Sequence, residues 1–470
     1  MSRRKVIRIA IKVISFVYTI SVLLFAAQTM LYATGGTPAG SGTAADHFQI
    51  TDYADLKVVG TTAAYTLSAV YRLTGDIDAS ASSTEHSDSG FVPIGDSYAN
   101  YFTGTLHGAG HVIKNLHINR SGSSFIGLFG CVWGAAIIDS LGVTDASIAG
   151  VQFVGGIAGS SDGTISNCYT TGNVSGSYAQ VGGVVGDNLG TISNCYSSCS
   201  MSGSANDVGG VVGYSDGIVS NCYSNGNVSG LYYIGGVVGD NDIGIITNCY
   251  ATGNIIGSFN DVGGVAGLNG NSGTVTNCYA IGTVTGANDV GGVVGEIYDS
   301  AKVSNCYWNT QTTGMSSGYG TITDGGAFSG SGLTSAQMKQ SSSFSGWNFT
   351  TVWSMNSSIN NGYPYLASNI ATSVGEVTVV TPKTFSLMQN YPNPFNPTTT
   401  IQFSVEKDGK AVVKVFDIMG REAATLYDDA AQAGKNYTVT FSGAGFSSGV
   451  YFYTIESSNQ RLAKKMIMVK

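Results

Sequence analysis

Between Ser121 and Ala301 the chain has no lysine, arginine or histidine. A stretch with acids and no bases repels phosphate backbones, which excludes nucleic acid as a partner. Charge of either sign is scarce. Only 11% of the 470 residues are Asp, Glu, Lys or Arg, while 43% are hydrophobic, a balance that excludes a disordered, self-repelling chain. Seven prolines stand against sixty-six glycines, which points to many tight turns. No apolar set recurs at 3.6-residue spacing, so amphipathic helices are not expected. Serine, threonine and asparagine supply the polar surface, as suits a β-rich protein.

One long apolar run is present, "VISFVYTISVLLFAA" at 13–27, preceded by Arg3, Arg4, Lys5, Arg8 and Lys12. A basic head before a short apolar core is the pattern of a secretory signal peptide, here residues 1–34, with cleavage near Ala27 or Ala33. An uncleaved anchor is the alternative, although a spanning helix needs about 20 apolar residues. Loss of five positive charges takes the net charge from −8 to −13. Residues 35–382 hold 6 basic and 22 acidic side chains, whereas residues 383–470 hold 10 and 7. Two charge regimes indicate two domains.

The triplet Asn-Cys-Tyr begins at Asn167, Asn194, Asn221, Asn248, Asn277 and Asn305, in steps of 27, 27, 27, 29 and 28 residues. A Gly-Gly pair keeps time with it at 155, 182, 209, 235, 263 and 291, and "FIGLFG" at 125–130 is a degenerate earlier copy. Short pieces such as "TIS" and "GNVSG" read as strands between Gly, Asn and Asp turns. The fold class is therefore all-β. Coils of about 27 residues stack into a parallel β-helix, because no coil can bury its inner residues alone. Seven to ten coils are expected, about 35–50 Å of rod at one coil per strand spacing. Ile165 and Cys168 both point inward if the chain bends at Asn167. The asparagines then stack along a corner, and Tyr169, Tyr196, Tyr223, Tyr250, Tyr279 and Tyr307 form an outward row, the candidate ligand-facing ladder. The glycine doublet allows close backbone approach or left-handed torsions at another corner.

The unit "GGVVG…G.I.NCY..G.V.G" resembles the GLUG repeat of secreted and surface proteins of bacteria. "YRLTGDIDAS" (71–80), "YFTGTLHGAGHVIKNLHI" (101–118) and "YWNTQTTGMSSGYGT" (307–321) continue the likeness, as does "WNFTTVWSMNSSINNGYPYL" (347–366). The domains that follow are a β-rich cap and first coils over 35–150, repeats over 151–310, and a cap and linker over 311–382. The resemblance implies adhesion and carries over no catalytic residue.

Prolines 382, 392, 394 and 397 mark a boundary, after which alternating strands follow at the spacing of a small Ig-like β-sandwich. Residues 383–470 resemble the type A C-terminal sorting domain of type IX secretion. The likeness rests on "NYPNPFNPTTTI" (390–401), "VKVFDIMGRE" (413–422), "SSGVYFYTI" (447–455) and "KKMIMVK" (464–470). It singles out Pro392, Asn393, Pro394, Asp417, Gly420, Gly449, Tyr451, Lys464 and Lys465. It implies passage through the periplasm to the outer surface of a Gram-negative cell, with the type IX machinery and a sortase-like peptidase as partners. Release, or attachment to a surface lipopolysaccharide, would follow.

Six of the eight cysteines lie in the repeat. Their side chains run parallel, so packed thiols are preferred over pairwise bridges. No C-x-x-C pair occurs, and His107, His111 and His117 lie among glycines that argue for strand and turn, against a zinc site. Asp207, Asp261 and Asp289 recur in turns and could line a calcium groove, but they are also ordinary turn residues. No other cofactor is expected. A uronate lyase wants cations that the repeats lack. A glycosidase needs only two carboxylates, so a polysaccharide-active enzyme stays as the alternative to a surface binder of glycans or host ligands. A non-binding structural spacer is the third reading. The tyrosine row either presents rings to a ligand or stabilises the stack.

Overall fold

The computed structural model describes residues 36–370, apart from 203 and 205, and 385–469, apart from 388, 389, 391, 392, 394, 434, 435 and 459. The expected signal peptide (1–34), most of the linker and the motif prolines Pro392 and Pro394 lie outside the described residues. The chain divides into two compact units, with the boundary after Ala371.

The first unit is a right-sized answer to the repeat: parallel sheets of twenty-seven and eight strands, one lap of chain resting on the next. One column runs its whole length, through Phe48, Tyr71, Leu106, Ile138, Ile165, Ile192, Val219, Ile246, Val275, Val303 and Phe328, each in register with the next. That makes eleven coils, more than the seven to ten expected. The additional coils lie before the Asn-Cys-Tyr triplets begin. Their column residues step by 23, 35 and 32 positions, so no fixed period advertises them. The same inward column nevertheless holds them. A short helix, Tyr53–Val58, stands near the start, its N-terminus closed by the Asp52 side chain accepting from the Asp55 N–H over 2.9 Å.

The regular coils have three corners. At the first, Asn167, Asn194, Asn221, Asn248, Asn277 and Asn305 all take left-handed torsions, φ 51–55°. Asparagine tolerates this region better than other side-chain-bearing residues. At the second, Phe153, Gln180, Asp207, Tyr233, Asp261 and Asp289 do the same. At the third, buried Asn188, Asn241 and Asn269 bond the turn backbone and one another, Asn241 Nδ2 reaching Asn269 Oδ1 at 2.6 Å.

The glycine doublet is explained by close approach, since none of its twelve residues has a left-handed φ. A Cβ on the first glycine would strike a carbonyl three residues on: 1.9 Å from Val212 O at Gly209 and 1.8 Å from Val238 O at Gly235. In five of the six coils the second glycine faces a small side chain, Thr170, Ser197, Ser224, Ala251 or Ala280, and in the sixth Gly292 meets Trp308. The interior is aliphatic along the Ile/Val columns.

Residues Met338 to Leu366 fold back onto the side of the last coils, burying Trp353, Trp347 and Phe344 against Tyr250, Tyr279 and Tyr307. The second unit has two antiparallel sheets. Ser386–Leu387, Thr398–Ser404 and Asn436–Ser442 form one; Glu422–Ala431, Gly409–Asp417, Gly449–Ser457 and Gln460–Met468 form the other. Ile401, Phe403, Val413, Val415, Phe441 and Tyr453 pack between them.

Gly235→Ala is expected to lower stability by about 1–3 kcal/mol or more, because its methyl has no room. Gly75→Ala, whose Cβ would meet nothing within 4 Å, is expected to stay within about 0.5 kcal/mol of the parent. Thermal unfolding followed by circular dichroism separates the two.

Candidate functional site

The Asn-Cys-Tyr corner sets three columns side by side. The left-handed asparagine turns the next residue inward, so Ile165 and Cys168 are both fully buried. The turn takes the cysteine N–H out of the backbone ladder. Its partner is the sulfur one coil on: Cys168 N to Cys195 Sγ, Cys195 N to Cys222 Sγ, Cys222 N to Cys249 Sγ and Cys249 N to Cys278 Sγ, each 3.4 Å. Each of these thiols in turn donates to the carbonyl two residues back, at 3.2 Å. Cysteine is thus more than a small hydrophobe here. It supplies the donor and the acceptor that a buried corner needs. All eight cysteines are free and buried, and burial pushes the Cys131 thiol up to about 12. Asn248 Nδ2 to Asn221 Oδ1, 3.2 Å, and Asn277 Nδ2 to Asn248 Oδ1, 3.3 Å, add the amide ladder.

The tyrosine column stacks with unusual regularity. Centroids from Tyr169 to Tyr196, Tyr223, Tyr250 and Tyr279 lie 4.9, 4.8, 4.8 and 5.0 Å apart, with planes 4–7° from parallel. The expected outward row needs two corrections. Tyr250, Tyr279 and Tyr307 are buried, at 5%, 0% and 6% exposure, because the cap covers them. The Tyr279 hydroxyl donates to the Pro364 carbonyl at 2.6 Å, and Tyr307 turns to meet Trp347 edge-on. The remaining rings, Tyr169, Tyr196 and Tyr223, are half-buried. Between its neighbours each inner ring spends both faces on other tyrosines, so a ligand meets phenol edges and not π-faces. Burial pushes the Tyr223 hydroxyl up to about 12.

Acidic side chains converge where the second corner meets the eight-stranded sheet. One outward column there reads Ser160, Asp187, Tyr214, Asp240, Leu268, Glu296. The glycine of the next strand packs on each corner, Gly239 against Asp207 and Gly295 against Asp261, which brings the two sets together. Burial raises Asp187 to about 6, opposed by the Ser160 hydroxyl donating at 2.8 Å. Burial alone takes Asp207 to about 6. Burial, with Asp207, Asp242, Asp216 and Asp261 nearby, takes Asp240 to about 8. Burial, with Glu296 and Asp289, takes Asp261 to about 7. Sequence reasoning singled out Asp207, Asp261 and Asp289 but missed Asp187, Asp240 and Glu296, although the repeated phrase Gly-Gly-Val-Val-Gly precedes each of the three. Among the described residues no three His, Cys, Asp or Glu side chains are grouped to hold a metal ion, and the calcium expectation gains no geometry.

The histidines do not converge either. His107 Nδ1 meets Asp139 at 2.7 Å and His111 meets Asp76 at 3.5 Å, on separate strands and partners. In the second unit the singled-out residues hold the fold's edge. Asn393 Oδ1 accepts from the Ile467 N–H at 2.8 Å, pinning the entry segment to the final strand. Asp417 caps the turn to Gly420, accepting from Met419 N, Arg421 N and Arg421 Nε at 2.9, 3.0 and 2.7 Å. Gly449 opens a strand, and buried Tyr451 donates to the Ser447 carbonyl at 2.8 Å. Lys464 and Lys465 lie on the last strand, opposite Tyr453 and Phe452.

Comparison with known proteins agrees with this division. Residues 389–470 match the family model of the secretion system C-terminal sorting domain. Residues 204–229, 230–256 and 260–285 match the GLUG motif, so the recognised units are a part of a longer run of coils. Halomucin of Haloquadratum walsbyi is 39% identical over 155 residues, 32% of this chain and 2% of that protein. A protein of Evansella cellulosilytica named as a Gly-rich membrane protein is 34% identical over 100 residues, 21% of this chain and 11% of its own length. The chain thus spans a small fraction of these relatives. No solved structure matches it. Among the described residues no helix is long and apolar enough to cross a membrane.

The acidic columns fix a pH dependence. Folded-state values raised above the ordinary carboxyl value mean that the native state holds protons the unfolded chain has released. The contribution of these groups to stability is therefore full below about pH 4 and falls as pH rises to about 8. The slope is about 1.4 kcal/mol per pH unit for each group while it titrates. Thermal midpoints should drop between pH 5 and pH 8, and Asp240→Asn should raise the midpoint at pH 8 and flatten the profile.

Proposed function

We propose that this chain, a secreted β-helix repeat protein with a type IX sorting domain, acts as a binding or adhesion protein at or beyond the outer cell surface. The observation that carries the reading is the outward repetition of the coil on an exported chain. Thr164, Thr191, Ile218, Ile245 and Thr274 stand in one exposed or half-exposed column, and Ser166, Ser193, Ser220, Thr247 and Thr276 in the next. Weak contacts repeated along a rigid array add through effective concentration, which suits attachment to an extended partner. The columns recur from coil to coil, as in a scaffold, and supply no singular pair of carboxylates.

A structural spacer is the second reading. It is favoured by the tyrosine column, whose faces are consumed by stacking and whose far half lies under the cap. We assign that column to holding coils together. Tyr196→Ala should then cost about 1–2 kcal/mol of stability from lost ring contacts, while Tyr196→Phe stays near the parent in a thermal melt.

For export, a chain truncated before Lys464 loses half of the strand that pins Asn393 and pairs with Gly449–Ser457. It should accumulate in the periplasm, and normal surface display of it would contradict the sorting role. For binding, cells displaying the chain should attach to immobilised neutral polysaccharide, and soluble chain should compete. Equal attachment by cells lacking the gene would overturn adhesion, and release of sugar product would favour the enzyme alternative.

A further inference from the structure

The tyrosine column cannot offer its faces to a ligand. A separate cluster of exposed rings stands in the first coils. Residues Asp96 to Tyr101 form a tight loop, closed by Ser97 N to Asn100 O at 3.3 Å and Asn100 N to Ser97 O at 3.0 Å. Two of its side chains are largely exposed, Tyr98 at 48% and Tyr101 at 38%. Tyr98 stands edge-on to Phe125 at 4.6 Å and to Trp133 at 5.3 Å, with interplanar angles of 65° and 73°. Tyr101 is tilted by 47° to Trp133 at 6.3 Å. None of Tyr98, Tyr101 and Trp133 is sandwiched between parallel rings, in contrast to Tyr196 and Tyr223. No parallel ring stacks on Tyr98, Tyr101 or Trp133, and the negative quadrupole of an exposed ring face suits a partner's polarised C–H groups.

The same loop borders a cleft of about 890 Å³, whose lining includes Lys57, Glu85, Phe91, Pro93, Asp96 and Asn100. That is the size of a site for a small ligand or a few sugar units. Asn100 Nδ2 donates to Asp96 Oδ1 at 3.0 Å, which holds both polar groups in place at the rim. His86 and Ser87 also line the cleft, and with Asp88 they are three successive non-glycine residues with left-handed torsions, φ 51°, 55° and 65°. Runs of that kind are costly and cluster where a rim must be shaped for a ligand. The charge is equally informative. Lys57 is already paired with Glu85 at 2.7 Å, and the Tyr53 hydroxyl donates to the same carboxylate at 2.7 Å. Lys57 is the one lysine or arginine in the lining and is neutralised by that pair, while Asp96 adds a carboxylate, so uronates and sulfated sugars meet no free positive charge from either residue type.

We propose that the Asp96–Tyr101 loop, with Trp133 and Phe125 beside it and the Lys57–Glu85 cleft behind it, binds a neutral oligosaccharide chain. Sugar rings lie against Tyr98, Tyr101 and Trp133, and Asp96 and Asn100 accept and donate hydrogen bonds to the hydroxyls. The inference rests on the binding reading given above and deepens it, by naming the place and the ligand class.

The test uses the full secreted chain on an array of neutral hexose and N-acetylhexosamine oligosaccharides of four to six units, with oligogalacturonates as acidic counterparts. The expected result is retention of a neutral chain and not of the acidic ones. Tyr98→Ala with Trp133→Ala should weaken that retention about tenfold or more, whereas Tyr196→Phe leaves it unchanged. Tyr98→Ala alone, at an exposed position, keeps the test valid if the double variant does not melt cooperatively. Parental retention by the folded Tyr98 and Trp133 variants, or a preference for oligogalacturonate, overturns this site while leaving a binding protein. Retention of no probe by the parent overturns the site and the binding reading together.

Discussion

The regular coils of the first unit depend on one corner, where a left-handed asparagine hands the chain to a buried cysteine. The bend costs the backbone a ladder hydrogen bond, and an unmet buried N–H is expensive, about 1–3 kcal/mol. The sulfur one coil away meets it at 3.4 Å. This contact links five successive laps, from Cys168 to Cys278, and it fixes the register of the columns on either side. With the cysteines in register, the aliphatic column, the amide ladder and the tyrosine stack have no freedom to slip.

That constraint has an electrostatic side. Stacking like over like places carboxylate near carboxylate wherever the repeat puts an acid in a corner. Asp207, Asp261 and Asp289 follow directly, and Asp240 and Glu296 join them from the neighbouring sheet. No base lies in this stretch to relieve them. The molecule tolerates the crowding because protons remain bound to part of the set. The N-terminal coils are built otherwise, with Lys57–Glu85, His107–Asp139 and Lys114–Asp76 pairs. The two ends of the solenoid thus present different surfaces from one architecture.

Much of this was legible in the residues. A fixed period with two locked markers implies coils, and the three-residue gap between Ile165 and Cys168 implies the bend at Asn167, since both must face inward. First coils were expected over 35–150, but their number was not legible, because Phe48, Tyr71 and Leu106 recur without a constant step. The cap's position was hidden for a different reason. Trp347 and Trp353 carry no sign of which column they cover, and covering Tyr250 and Tyr279 is a long-range choice. The stacking of the rings was implied by their in-register repetition, yet its consequence for exposed faces depends on interplanar angle, which spacing does not reveal. The cleft beside Asp96 comes from loops with no repeat to reinforce them.

The step of 29 residues between Asn248 and Asn277 shows where this architecture absorbs change. Its two surplus residues fall in the turns near Asn260 and Asn271, and the columns on both sides run through undisturbed. A whole lap inserted or removed would likewise bring ready-made neighbours with it. Recombination between near-identical segments of the gene can therefore lengthen or shorten the molecule without inventing an interface. The length of the solenoid becomes a heritable dimension that selection can adjust one lap at a time.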